Sequence, residues 1–251
     1  MQLKNIVTTK NESLAFVLKA KKLYYTLSDT PGALGAICKA IELAPDNAEA
    51  FLHKANFLRS EEKYDEAIKA INKALELKEE FPEACYMKSR ILLAQKDLEA
   101  ANEYFKLGEQ MKHDSADSYY AKGNALSNLG NKEEAVKCYD MAIKIDPDDA
   151  GAYLNKGNAL AALGKHAEAF KHFDIAIEMS PKDAAAYKYK ARVLSEVGEY
   201  EEALRLYEKA LELRPQDYHI LLCMGKVLGS LGKQEESEKM LSKAKELQRV
   251  G

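Results

Sequence analysis

The sequence predicts an all-helical protein built from stacked helix pairs, and three observations carry that prediction. Prolines number only six and glycines 13 in a chain rich in Ala, Leu, Lys and Glu, a composition that favours helices. Punctuating residues recur at one interval. Gly130, Gly164, Gly198 and Gly232 are each 34 residues apart, as are Pro147, Pro181 and Pro215, and Pro45 precedes Pro147 by 102, three times that interval. Within each period, apolar and small residues fall at i, i+3, i+4 and i+7, which places them on one face of a helix.

Written in rows of 34 from Leu14, the chain has row starts at Leu14, Ala48, Pro82, Ala116, Ala150, Ala184 and Tyr218, and seven rows with 13 leading residues account for all 251. Residues 1–13 are expected to be an irregular lead-in, with Ile6 and Val7 available to cover row one. The first helix of each row comes from columns 4, 8 and 11. Column 4 is Val17, Phe51, Cys85, Tyr119, Tyr153, Tyr187 and Leu221, and column 11 is Tyr24 followed by leucine in every later row. The second helix comes from columns 20, 24 and 27. Alanine fills six of seven positions in column 20, with Ser237 the exception, and six of seven in column 27, with Gly108 the exception. Column 24 is always large: Ile37, Ile71, Phe105, Tyr139, Phe173, Tyr207 and Leu241. Small residues let two helix axes approach, and large ones fill the space beside them.

The boundaries between helices are also legible. Column 34 supplies Ser13, Asn47, Ser115, Asp149, Asp183 and Asp217 as N-caps, with Phe81 the exception. Glycine at column 15 separates the first helix from the second. Glu66, Glu134, Glu168, Glu202 and Glu236 at column 19 suit the positive end of the second helix, and proline at column 32 stops it.

Several function classes find no support. Lys plus Arg is 37 against 40 Asp plus Glu, a net charge of -3, so the basic excess of a nucleic-acid or anionic-membrane binder is missing. Apolar runs such as Ile220 to Met224 are far shorter than a membrane span. The four cysteines, Cys38, Cys85, Cys138 and Cys223, form no CxxC pair, and are expected to be free thiols in a reducing cytoplasm. His166 and His172 are six apart, off a common helical face, and no HExxH, GxGxxG, GxxxxGKS or GxSxG occurs. No catalytic residue, metal site or cofactor is therefore nominated, and a non-enzymatic, cytoplasmic protein is expected.

The period and its columns resemble the tetratricopeptide repeat (TPR) family, from Leu14 to Gly251 and best from Ala116 to Asp217. The resemblance implies a right-handed α-solenoid of seven helix-turn-helix repeats (14–47, 48–81, 82–115, 116–149, 150–183, 184–217 and 218–251), with the first helices lining a concave groove. Some columns depart from the family pattern. Lys54, Lys88, Lys122, Lys156 and Lys190 occupy column 7, where leucine is common in the family. Lys21 stands at the small column 8, and Gln95 and His113 stand at the loop and proline columns of row three.

A solenoid of this kind is a binding surface, and columns 2, 5, 6, 9, 12 and 13 point away from its packed face. Column 9 reads Lys22, Asn56, Arg90, Asn124, Asn158, Arg192 and Lys226, with no acid in it. Asn155 at column 6 joins this set. An Asn amide can pair with both groups of a peptide unit, and neighbouring first helices at about 10 Å match three residues of extended chain. Column 5 adds Leu52, Tyr86, Tyr120, Leu154 and Lys188, apolar or aromatic except at Lys188, where an acidic ligand side chain is expected. The expected partner is thus an extended, partly acidic protein or peptide segment, with no nucleic acid and no membrane. The carboxylate clamp of chaperone-adaptor relatives is not matched: Asn124 and Asn155 fit, but Tyr120, Ala185 and Tyr189 stand at the other positions. The alternative is a scaffold that self-associates weakly end to end through row seven, around Met240 and Leu241, or docks folded partners on its outer face. In that row, Ser237 and the charged run Gln234 to Lys239 are expected to serve as a polar cap.

Overall fold

A computed structural model describes the backbone of residues 2–25 and 29–250 and the side chains of residues 9–25 and 29–248. The described residues form helices and no strand, in two compact units, Met1–Pro147 and Asp148–Gly251. The first unit holds α1 (Gln2–Tyr25), α2 (Thr30–Leu43), α3 (Ala48–Ser60), α4 (Tyr64–Leu77), α5 (Pro82–Ala94), α6 (Leu98–Glu109), α7 (Ala116–Asn128) and α8 (Lys132–Ile145). The second holds α9 (Ala150–Ala162), α10 (His166–Met179), α11 (Ala184–Glu196), α12 (Tyr200–Leu213), α13 (Tyr218–Ser230) and α14 (Gln234–Val250). Each odd-numbered helix packs against the even-numbered helix that follows it. From row two onward, every first helix begins on the residue that opens its row.

Capping fixes that register. Asn47, Ser115, Asp149, Asp183 and Asp217 each accept a hydrogen bond from a backbone N–H in the first turn of the next helix, satisfying donors that the helix itself cannot. Phe81 makes no such bond, and Pro82 follows it at a position where a missing N–H costs nothing. Ser13 is a correction. It lies within α1, is buried, and donates through Oγ to Ala40 O at 2.8 Å. The expected irregular lead-in is likewise replaced by helix, because α1 begins at Gln2; the side chains of Ile6 and Val7 lie outside the described residues.

The small columns are the core. The column 20 alanines Ala33, Ala67, Ala101, Ala135, Ala169 and Ala203 are fully buried, as are Ala40, Ala74, Ala142 and Ala210 at column 27. Column 8 glycines face the large column 24 residue of the same repeat. A methyl group on Gly123 would lie 2.7 Å from the ring of Tyr139, and one on Gly157 the same distance from Phe173. Ser237 is buried too and donates to Gly225 O at 2.7 Å, so it ties the last pair together and is no surface cap.

Row three shows how a departure is absorbed. Gly108 replaces the usual column 27 alanine and leaves room for Tyr86, whose ring carbons come within 2.9 Å of where a methyl would be. Tyr86 turns inward against Phe105, with ring centroids 5.4 Å apart, and its hydroxyl meets His113 Nε2. His113 Nδ1 in turn contacts Met111 O at 2.7 Å. His113 at the proline column is therefore the polar partner that a buried tyrosine needs. The lysines of column 7 also gain a reason. Lys88 donates to Asn72 Oδ1 at 2.6 Å, Lys122 pairs with Glu109 at 2.9 Å, and Lys190 pairs with Asp174 at 2.5 Å. Each joins the first helix of one repeat to the second helix of the repeat before.

Candidate functional site

The predicted groove residues divide into side chains that are exposed, side chains that position one another, and side chains lost to the core. Lys22 and Lys226 are exposed. Tyr86 and Leu154, expected as exposed groove walls, are buried; Gly108 explains the first. Leu52 and Tyr120 are half-buried, and Leu52 packs on a core cluster containing Ala55 and Ile71.

In the first unit, the two column 9 amides are hydrogen-bonded within the chain. Asn56 is buried and donates through Nδ2 to the Tyr25 hydroxyl at 3.1 Å, while its Oδ1 accepts from Arg59 Nη2 at 3.2 Å. Asn124, also buried, accepts from the Tyr139 hydroxyl at 2.9 Å. These amides fix neighbouring side chains and do not lie open to a ligand. Burial, and after it the charge of Arg59, pull the Arg90 guanidinium down to about 10, opposed by Tyr120, Tyr139 and Tyr25. It stays protonated at neutral pH. Burial raises the Tyr139 hydroxyl well above the usual phenol range, so it remains a neutral donor to Asn124.

In the second unit Arg192 and Lys188 meet acids of the chain itself. Arg192 donates through Nη2 to Asn158 Oδ1 at 3.1 Å and pairs through Nη1 with Glu196 at 2.5 Å. Lys188, expected to await an acidic ligand group, lies 3.6 Å from Asp217, the N-cap of α13. Asn155 at column 6 is half-buried. Column 9 holds no acid, but Glu196 at column 13 tempers the charge of Arg192, as Asp217 at column 34 tempers that of Lys188 in column 5.

Arg59 was not singled out from the sequence. It stands at column 12, three residues after Asn56, on the face already assigned to the groove, and that Asn-to-Arg spacing on one helix face was the available signal.

No group of three His, Cys, Asp or Glu side chains among the described residues is placed to hold a metal. The four cysteines are free, and burial pushes the Cys85 thiol up to about 11 and the Cys138 thiol upward as well, which keeps both protonated and unreactive. No described helix is long and apolar enough to cross a membrane.

Three family models, each described as a tetratricopeptide repeat, match the chain: one over residues 22–84 and 120–184, one over 58–122 and one over 184–217. The chain belongs to the tetratricopeptide repeat family. Solved structures agree in fold. A thermophilic TPR protein of Thermus thermophilus, TTC0263, is 23% identical, with 72% of this chain and 98% of that one covered and a TM-score of 0.62. Residues 41 to the end of MamA from Desulfovibrio magneticus RS-1 are also 23% identical, covering 67% of this chain and 96% of that one at 0.54. The APC/C hetero-tetramer Cut9–Hcn1 contributes a chain 14% identical, covering 96% of this chain and 51% of that one at 0.65. A comparison with curated protein sequences gives no match. TPR repeats form a helical scaffold for protein–protein interaction, and this chain is such a module.

Proposed function

We propose that the chain is a non-enzymatic adaptor whose first helices bind an extended, partly acidic peptide segment. The observation that carries this reading is the run of column 9, in which Lys22, Arg90, Arg192 and Lys226 supply basic groups, Asn56, Asn124 and Asn158 hold neighbouring side chains, and no acid occurs, in a chain whose net charge is negative. Buried Asn56 holds Arg59 in place and half-buried Asn158 does the same for Arg192, which lowers the ordering cost of meeting a ligand carboxylate. Half-buried Tyr120 and Leu52 supply apolar contact beside them. Acidic segments gain from these cations on encounter and in the complex.

A tiled peptide array that varies net charge at fixed length tests this directly. Acidic extended peptides are expected to bind, with affinity falling as salt rises. Equal capture of acidic, neutral and basic peptides would overturn the reading, as would capture of folded domains alone.

A further inference from the structure

The first unit contains two guanidinium groups that no carboxylate of the described chain neutralises. Arg59 spends one Nη2 hydrogen bond on Asn56, and Arg90 stands at column 9 of the next row. The Nε of each is buried without a hydrogen-bond partner. Two guanidinium charges that act on each other, each with an unmade N–H bond, are unfavourable, and chains that keep such an arrangement tend to use it. The second unit makes the contrast, since Arg192 has Glu196 and Lys188 has Asp217.

The surroundings are those of an anion receptor. Asn56 donates to the Tyr25 oxygen, which leaves the Tyr25 hydroxyl proton available to donate. Tyr25, Tyr120, Tyr139 and Arg59 are the groups that act on Arg90, and none of them is an acid at neutral pH. A single carboxylate would balance only one of the two cations. A phosphate monoester carries roughly two negative charges near neutral pH and three acceptor oxygens, and guanidinium forks meet such oxygens in pairs.

We propose that Arg59, Arg90 and the Tyr25 hydroxyl form a receptor for a phosphate monoester dianion carried on a side chain of the bound peptide. This rests on the peptide-binding function proposed above. It makes the first unit the part of the module that reads phosphorylation, and leaves the tempered cations of the second unit to general acidity.

Arginine Nε–H NMR cross-peaks of the full chain, titrated with inorganic phosphate and separately with acetate, test the site. Affinities for immobilised nonapeptides with central phosphoserine, glutamate or serine test the source of the phosphate. Inorganic phosphate is expected to shift the Arg59 and Arg90 peaks saturably where acetate does not. Phosphoserine peptides are expected to bind about 10-fold tighter than their glutamate counterparts. Arg59→Lys and Arg90→Lys keep the charge but lose the fork, and each should abolish the preference; Arg205→Lys, at an exposed position of α12 outside the proposed site, should leave it. Glutamate peptides binding as tightly as phosphoserine peptides would overturn the proposal and leave peptide binding standing. Phosphate-induced shifts without capture of any peptide would keep the receptor and overturn the peptide function. Neither shifts nor preference would overturn the receptor itself.

Discussion

His53 on α3 lies parallel to Phe57, with ring centroids 6.2 Å apart. Burial, and secondarily the charge of Lys21, lower its pKa to about 4. The unfolded chain then binds a proton between about pH 6.5 and pH 4 that the folded chain does not, so stability rises with pH across that window and is lost as pH falls through it. A shift of this size corresponds to about 3 kcal/mol when fully developed. Urea midpoints between pH 7 and pH 4 should fall more steeply for the native chain than for His53→Gln; parallel profiles would contradict the assignment. Residue-scale roles were the least legible part of the sequence. Column 9 correctly marks where amides and cations gather, but not that Asn56 and Asn124 are internal partners of Tyr25, Arg59 and Tyr139. Asn56–Tyr25 joins two repeats and Asn124–Tyr139 joins the two helices of one repeat, and such reach across helices is not encoded in a column of residue types. Tyr86 is similar: only the coincidence of Gly108 and His113 in the same row hints that it turns inward.

At the scale of helices, the sequence carries almost everything. Six second helices follow a turn whose column 15 residue has positive φ: Gly130, Gly164, Gly198 and Gly232 at 75° to 94°, with Glu62 at 59° and Lys96 at 66°. The two non-glycine cases adopt a left-handed conformation that costs an L-residue about 1–2 kcal/mol. Lys96→Gly removes that strain at an exposed position, against a greater loss of freedom on folding. A net gain of about 1 kcal/mol is expected. It should appear as a higher Tm with unchanged circular dichroism, and an unchanged or lower Tm would contradict the account. The loop-column exception in row three is thus Lys96 and not its neighbour Gln95. Helix starts after caps such as Asn47 and Asp183 followed directly from column 34, because that bond is local in sequence. Ser13 failed as a cap because α1 runs through it, and nothing within row one signals that the preceding residues are helical.

For the whole molecule, length is a repeat count, and the row register matches the starts of the first helices from row two onward. The separation into units ending at Pro147 and starting at Asp148 was not legible. Row four and row five keep the same columns on either side of it, so a period that continues unbroken cannot report where compactness changes. Net charge was equally uninformative about the binding face until it was resolved by column. The chain total of -3 conceals uncompensated Arg59 and Arg90 in one unit and internally paired Arg192 and Lys188 in the other.

The central claim is that cations on the first helices hold an acidic peptide. Its most direct test is fluorescence anisotropy of the tightest acidic array peptide against the native chain and against Arg90→Glu combined with Arg192→Glu, with both proteins shown to be folded. Reversing two charges should weaken binding by about 100-fold or more. Unchanged affinity in the double variant would contradict the account.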